Sequence, residues 1–132
     1  MPKPESPART WGLRFSAIDG VVILATILGT VALWNDSSFV ALLLPIVLGH
    51  FFLFCNVFRI DRRLELLWAA IFVVNTFSWS IAFDALSWLG ILIVQTPLTM
   101  VLIAAELRSP RYHGIFARRI NSELERYLDG TL

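Results

Sequence analysis

The sequence predicts an all-α integral membrane protein: four transmembrane helices in antiparallel hairpins, followed by a C-terminal amphipathic helix. Three observations lead there: an apolar excess, four separated apolar stretches of spanning length, and basic residues confined to alternate connections. Hydrophobic residues make up 57% of the 132 and charged residues 16%. A soluble domain averages roughly 45–50% and about 25%. A short chain has little interior in which to hide such a surplus, so lipid is the expected solvent. The net charge of +1 gives no global field to attract nucleic acid. With one cysteine, Cys55, an intrachain disulfide is excluded.

A hydrocarbon core of about 30 Å takes roughly 20 helical residues. Four stretches qualify, at residues 17–34, 39–58, 64–83 and 86–105. Residues 1–16 read as a polar tail, 17–108 as the bundle and 109–132 as a second tail. The tail before the first stretch carries Pro2, Pro4 and Pro7 and no cleavage signal follows, so the first stretch is expected to be a retained helix. Ser16 and Asp19 stand at capping-box spacing before it. Ser37 or Ser38 is placed to cap the second stretch. Asp84-Ala85 joins the third and fourth, and Ser109-Pro110 ends the last. Connections this short make consecutive helices neighbours.

All 11 lysines and arginines fall before the first stretch, in the Arg59–Arg63 connection or after the fourth stretch. The other two connections hold only Asp36 and Asp84. Four spans place the three basic regions on one face, which the positive-inside rule makes cytoplasmic. The expected location is a bacterial-type inner membrane with both termini inside. Trp34 and Trp88 stand at the expected outer interface, and Trp11, Tyr112 and Tyr127 at the inner one.

Each stretch carries one hydrogen-bonding side chain roughly 12–17 Å from its cytoplasmic end at 1.5 Å per residue: Thr26, His50, Asn75 and Gln95. Two readings apply to this layer. It is a polar site in the bundle centre, or it is interhelical bonding worth about 0.6–2 kcal/mol per contact. A neutral imidazole at His50 is also able to ligate a tetrapyrrole metal. No second histidine lies in a span, so a bis-histidine haem within one chain is excluded. No carboxylate or cation lies at mid-depth, which counts against an ion-coupled carrier. Trp68, Phe72, Trp79 and Phe83 form an aromatic stripe on one helical face, suited to a quinone, a pigment, another subunit or lipid. Ala25 and Gly29 have small-xxx-small spacing. Pro45 and Pro97 should bend the second and fourth helices.

After Pro110, Phe116, Ile120, Leu124 and Leu128 recur every four residues between charged ones. This predicts one amphipathic helix of about three to four turns. Arg59, Arg62 and Arg63, with Phe116, Arg118, Arg119, Ile120 and Leu124, are the expected inner-face or partner-docking residues. Hydrolase, metalloprotease and nucleotide-binding motifs are absent from the sequence. The expected function is a non-catalytic accessory subunit of a larger inner-membrane complex, with respiratory or photosynthetic hosts as natural cases. Its partners would be the bilayer and other membrane subunits. The alternatives are a cofactor protein using His50 and a homo-oligomeric channel or carrier.

Overall fold

The structure, a computed structural model, describes residues 8–83 and 86–132. The described residues contain helices and no strand. The expected Asp84-Ala85 connection and residues 1–7 lie outside them. The helices are α1 (Ala17–Leu33), α2 (Ser38–Phe52), α3 (Arg62–Phe83), α4 (Trp88–Leu107), α5 (Ala117–Ile120) and α6 (Leu124–Leu128). α2 runs on into a π-helical segment, Leu53–Phe58. Three helices are long and apolar enough to cross a membrane: α2 with that segment, α3 and α4. α1 is apolar and shorter, at 17 residues.

Serine starts three of these helices, because its hydroxyl accepts from an orphan N–H of the first turn. Ser16 and Asp19 form a reciprocal capping box, with Ser16 N–H donating to Asp19 Oδ2 at 2.6 Å and Asp19 N–H to Ser16 Oγ at 3.3 Å. Ser37 accepts from Val40 N–H and Ser87 from Gly90 N–H.

α1 packs along α2, α3 along α4, and the π-helical segment meets α4. Gly29 admits Leu44 of α2, whose Cδ1 would stand 3.0 Å from an added Cβ. The main core joins Phe54, Ile60, Trp68, Phe72, Ile91 and Leu102. Gly90 lies under the Trp79 ring, where a Cβ would collide with it. α1 contributes no buried residue, and Ile18, Val21, Leu28 and Val31 all point outward.

Helix C-termini leave carbonyls without intrahelical donors. At the end of the π-helical segment, both tails supply them. Arg14 N–H donates to Asn56 O at 2.9 Å, and Ile115 N–H to Val57 O at 2.8 Å. Gly12 N–H then donates to His113 O at 2.9 Å, which joins the tails to each other. Gly114 crosses directly over the Phe58 carbonyl, leaving no room for a side chain. A second small core forms there from Tyr112, Ala117 and Leu124, against Phe58, Leu107, Tyr127 and Leu128.

The single amphipathic helix expected after Pro110 is not what forms. The segment makes two short helices, α5 and α6, broken at Asn121. Asn121 is extended (φ −104°, ψ 105°), and its Nδ2 donates to Pro110 O and Tyr112 O, both at 2.8 Å. Its Oδ1 accepts from Glu123 N–H at 2.9 Å. An asparagine able to bond the backbone in this way competes with helix continuation. The four-residue row is split accordingly: Leu124 is buried, while Phe116 and Ile120 are exposed.

Asn121→Ala removes both bonds to the carbonyls of Pro110 and Tyr112, and should cost the docked segment about 1–3 kcal/mol. Limited trypsin digestion of the purified protein should then cut faster at Arg118 and Arg119, with helical circular dichroism nearly unchanged. Equal cleavage in both proteins would show that Asn121 does not hold the segment.

Candidate functional site

The mid-depth polar residues do not meet as one layer. Asn75 and Gln95 join a seam between α3 and α4, His50 approaches it by stacking, and Thr26 is elsewhere. Trp68 Nε1–H donates to Thr99 Oγ1 at 2.9 Å, and Thr99 Oγ1–H donates to Gln95 O at 2.9 Å. Gln95 Nε2–H returns to Trp68 O at 3.1 Å, closing a ring of contacts. Further along, Asn75 Nδ2–H donates to Ile91 O at 2.9 Å. Gln95 is fully buried and its Oε1 has no donor among the described residues. Thr26 Oγ1–H bonds Val22 O of its own helix at 2.7 Å and faces a mostly apolar cleft beside Pro45 and Gly49.

Thr99 was readable as a partner of Gln95, since four residues apart on a helix means the same face. The role of Trp68 as its donor was not, because that depends on how α3 is rotated against α4.

The aromatic stripe divides along its length. Trp68 and Phe72 are buried and stacked, with centroids 5.2 Å apart and planes 8° apart. Phe54 meets Trp68 edge-on at 5.8 Å. Trp79 stacks on Phe83 at 4.5 Å, and Phe83 is exposed. His50 stacks on Trp68 at 4.5 Å with planes 22° apart. Its Nδ1 lies 2.8 Å from Ile46 O. A carbonyl only accepts, so Nδ1 carries a proton, and a neutral ring then has its lone pair on Nε2. That tautomer is compatible with metal ligation, where a backbone carbonyl commonly orients the ring. Among the described residues no group of three or more His, Cys, Asp or Glu side chains is arranged to hold a metal.

The inner-face residues separate as well. Arg62, Arg63, Arg118 and Arg119 are exposed, and Arg118 lies over the Trp11 ring at 4.8 Å. Arg59 instead turns toward the N-terminal segment, donating to Thr10 O at 2.8 Å. Its backbone is left-handed, with φ 50°. For a residue with a Cβ that conformation costs of order 1–3 kcal/mol. Burial pulls its guanidinium below the usual arginine range, an effect the nearby Arg14 adds to. Burial also lowers His113, helped by the charges of Arg59 and Arg9, and its ring stacks on Tyr127 at 4.7 Å. Tyr112 is pushed up to about 12, first by burial and then by the charge of Glu106.

Neither a protein-family model, nor a curated protein, nor a solved structure matches this chain. The residues themselves therefore carry the functional argument.

Thr99→Val should leave the Trp68 indole N–H buried without an acceptor and cost about 1–3 kcal/mol. Gln95→Met keeps the volume, loses one hydrogen bond and removes an unpartnered oxygen, so its cost should be smaller. Reversible unfolding in mixed detergent measures both. A larger loss for Gln95→Met would show that Gln95 Oε1 has a partner in the folded protein.

Proposed function

We propose that this chain is a non-catalytic accessory subunit of a larger inner-membrane complex. It crosses the bilayer four times as two antiparallel hairpins, with both tails cytoplasmic. One observation carries the reading. α1 contributes no buried residue and turns Ile18, Val21, Leu28 and Val31 outward, while the mid-depth amides of α3 and α4 bond each other's helix. The chain thus holds its own α3–α4 pair together and leaves an apolar helix for an outside surface. In lipid that surface gains little from burial alone, so close packing against another subunit is what orders it.

At 1.5 Å per residue the 17 residues of α1 rise about 26 Å. That is near the short end of the spanning range, about 17–25 residues. Trp34 at its outer end and the Ser16 cap at its inner end suit a helix that just reaches both interfaces. The basic residues of both tails and of the Arg59–Arg63 connection then share the cytoplasmic side. A channel lined by Asn75 and Gln95 is less favoured, because both amides donate to backbone carbonyls within the α3–α4 pair.

A second reading has its own support. His50 offers an Nε2 lone pair beside the Trp68 and Phe54 rings, a setting able to take a tetrapyrrole metal as a single axial ligand.

Topology is read with single cysteines in a Cys55→Ser background. Asn35→Cys should react with a membrane-impermeant maleimide added to intact cells, and Ser122→Cys only after lysis. Labelling of Ser122→Cys in intact cells would remove the proposed orientation. Labelling of Asn35→Cys only after lysis would remove α1 as a span.

The accessory role is read by purifying the tagged protein from its own membranes in mild detergent. Stoichiometric larger subunits are expected by mass spectrometry, with α1 cross-linking to them. A particle of this chain alone would overturn that role. A visible absorption band on the same sample, lost in His50→Ala, would favour the second reading.

A further inference from the structure

The inner end of the bundle contains a polar cleft of about 400 Å³ that the accessory reading does not use. Three arginines line it from three separate parts of the chain: Arg9, Arg59 and Arg111. Their known partners are neutral. Arg9 Nη1–H donates to Tyr127 O at 2.8 Å, with its guanidinium over the Tyr127 ring at 4.9 Å. Arg59 Nη1–H donates to Thr10 O and Thr10 Oγ1. The Arg111 side chain makes no hydrogen bond among the described residues.

Two carboxylates, Asp61 and Glu106, share the cleft but face backbone donors. Glu106 Oε2 accepts from Asp61 N–H at 3.3 Å, and Asp61 Oδ1 from Arg63 N–H at 2.9 Å. Among the described residues the one ion pair is Arg126–Glu123, outside the cleft. Three forked cations therefore line one concavity, with no anion on any of them among the described residues. A guanidinium fork matches two phosphate oxygens at once, which makes clustered arginines a phosphate-recognition device.

Two further observations point to the same place. Arg59 stands one residue after the π-helical segment and Arg111 shortly after α4, which is headgroup depth if those helices span. Arg59 also occupies a left-handed backbone position where glycine would be unstrained. At that strained position the long side chain is already oriented, by its bonds to Thr10. His113 lies in the same cleft with its Nδ1 2.8 Å from Arg111 O. Its ring is fixed there by that carbonyl and by Tyr127.

We infer that this cleft binds a phosphate ester through Arg9, Arg59 and Arg111, either the phosphodiester of a membrane lipid headgroup or a soluble phosphate monoester. The inference does not rest on a partner complex.

The full chain, delipidated in mild detergent, is titrated with phosphatidylglycerol and separately with glycerol phosphate, and bound ligand is counted by native mass spectrometry. Three variants are compared: Arg59→Gly, which suits the left-handed backbone, Arg111→Gln, and Arg126→Gln as a control for lost charge outside the cleft. One equivalent of ligand should bind the unaltered chain. Affinity should fall about tenfold or more in Arg59→Gly and in Arg111→Gln, as for loss of a charge-assisted contact, and stay unchanged in Arg126→Gln. Lipid binding that millimolar glycerol phosphate does not displace assigns the lipid headgroup. Saturable binding of glycerol phosphate alone, with the same arginine dependence, assigns a soluble ester. Equal binding by all four proteins, or no stoichiometric binding of either probe, overturns the site. Circular dichroism keeps loss of fold separate from loss of binding, and the Arg111→Gln arm still decides if Arg59→Gly is misfolded.

Discussion

Trp68 Nε1–H donates to Thr99 Oγ1 across the α3–α4 contact, and most of the ordered interior is arranged around that indole. Within an apolar solvent no water competes for the donor, so a tryptophan N–H facing inward must find an acceptor in the protein. Thr99 supplies it and is itself fixed by Gln95 O. The backbone carbonyl of the same tryptophan takes the Gln95 amide, so one residue of α3 is held twice by α4. Its ring then sets the position of α2, because His50 and Phe54 pack on it flat and edge-on. Three helices meet at one side chain. α1 lies outside this cluster and packs mainly along α2, which leaves much of its apolar surface over.

The end of the bundle where both tails dock obeys a different constraint. The π-helical segment ends in carbonyls that α2 cannot satisfy from within itself. Both tails close that deficit, Arg14 on Asn56 and Ile115 on Val57. Docking the tails brings Arg9 and Arg111 to the side of Arg59. Backbone hydrogen-bond demand at a helix end thus assembles a cluster of cations from distant parts of the sequence. The close crossing of Gly114 over Phe58 O is part of the same arrangement, since a side chain there would lift the tail off the helix end.

The helical extents were legible, because apolar length and serine caps are local signals. Each long helix begins and ends within two residues of the expected stretch. Hydrogen bonding of Asn75 and Gln95 across helices was one of the two readings their depth allowed, since a buried amide in an apolar medium needs a partner. Thr26 was not separable from them by depth alone. A threonine can satisfy its hydroxyl on its own helix, as it does at Val22 O, and then has no need to face inward. The C-terminal helix was misread for a related reason. The spacing of Phe116, Ile120, Leu124 and Leu128 is helical, but the decisive bonds run from Asn121 back to Pro110 and Tyr112. Periodicity carries no information about a side chain that closes a loop. Arg59 was expected as an inner-face or partner-docking residue, and nothing in its neighbours signals a left-handed backbone, which glycine or asparagine would have announced.

Where recognition is concentrated follows from which polar groups the fold leaves without partners of matching charge. At mid-depth, every amide N–H discussed above ends on a carbonyl of a neighbouring helix, and the resulting seam is structural. Where the tails dock, the partners of the Arg9 and Arg59 guanidinium groups among the described residues are carbonyl, hydroxyl and ring groups. A neutral partner orients such a cation without neutralising it. Orientation without neutralisation is the condition for binding an anion from outside, because the geometry is set in advance and the charge is still available. Among the described residues the two non-glycine residues with left-handed backbone, Arg59 and Phe116, both lie where the tails dock. One presents a cation to the cleft and the other an exposed ring. Strain of that kind persists only where surrounding contacts over-determine it, and here those contacts are the backbone bonds that dock the tails. The interior therefore accounts for the stability of the bundle, and the end where the tails dock is where cations keep their charge.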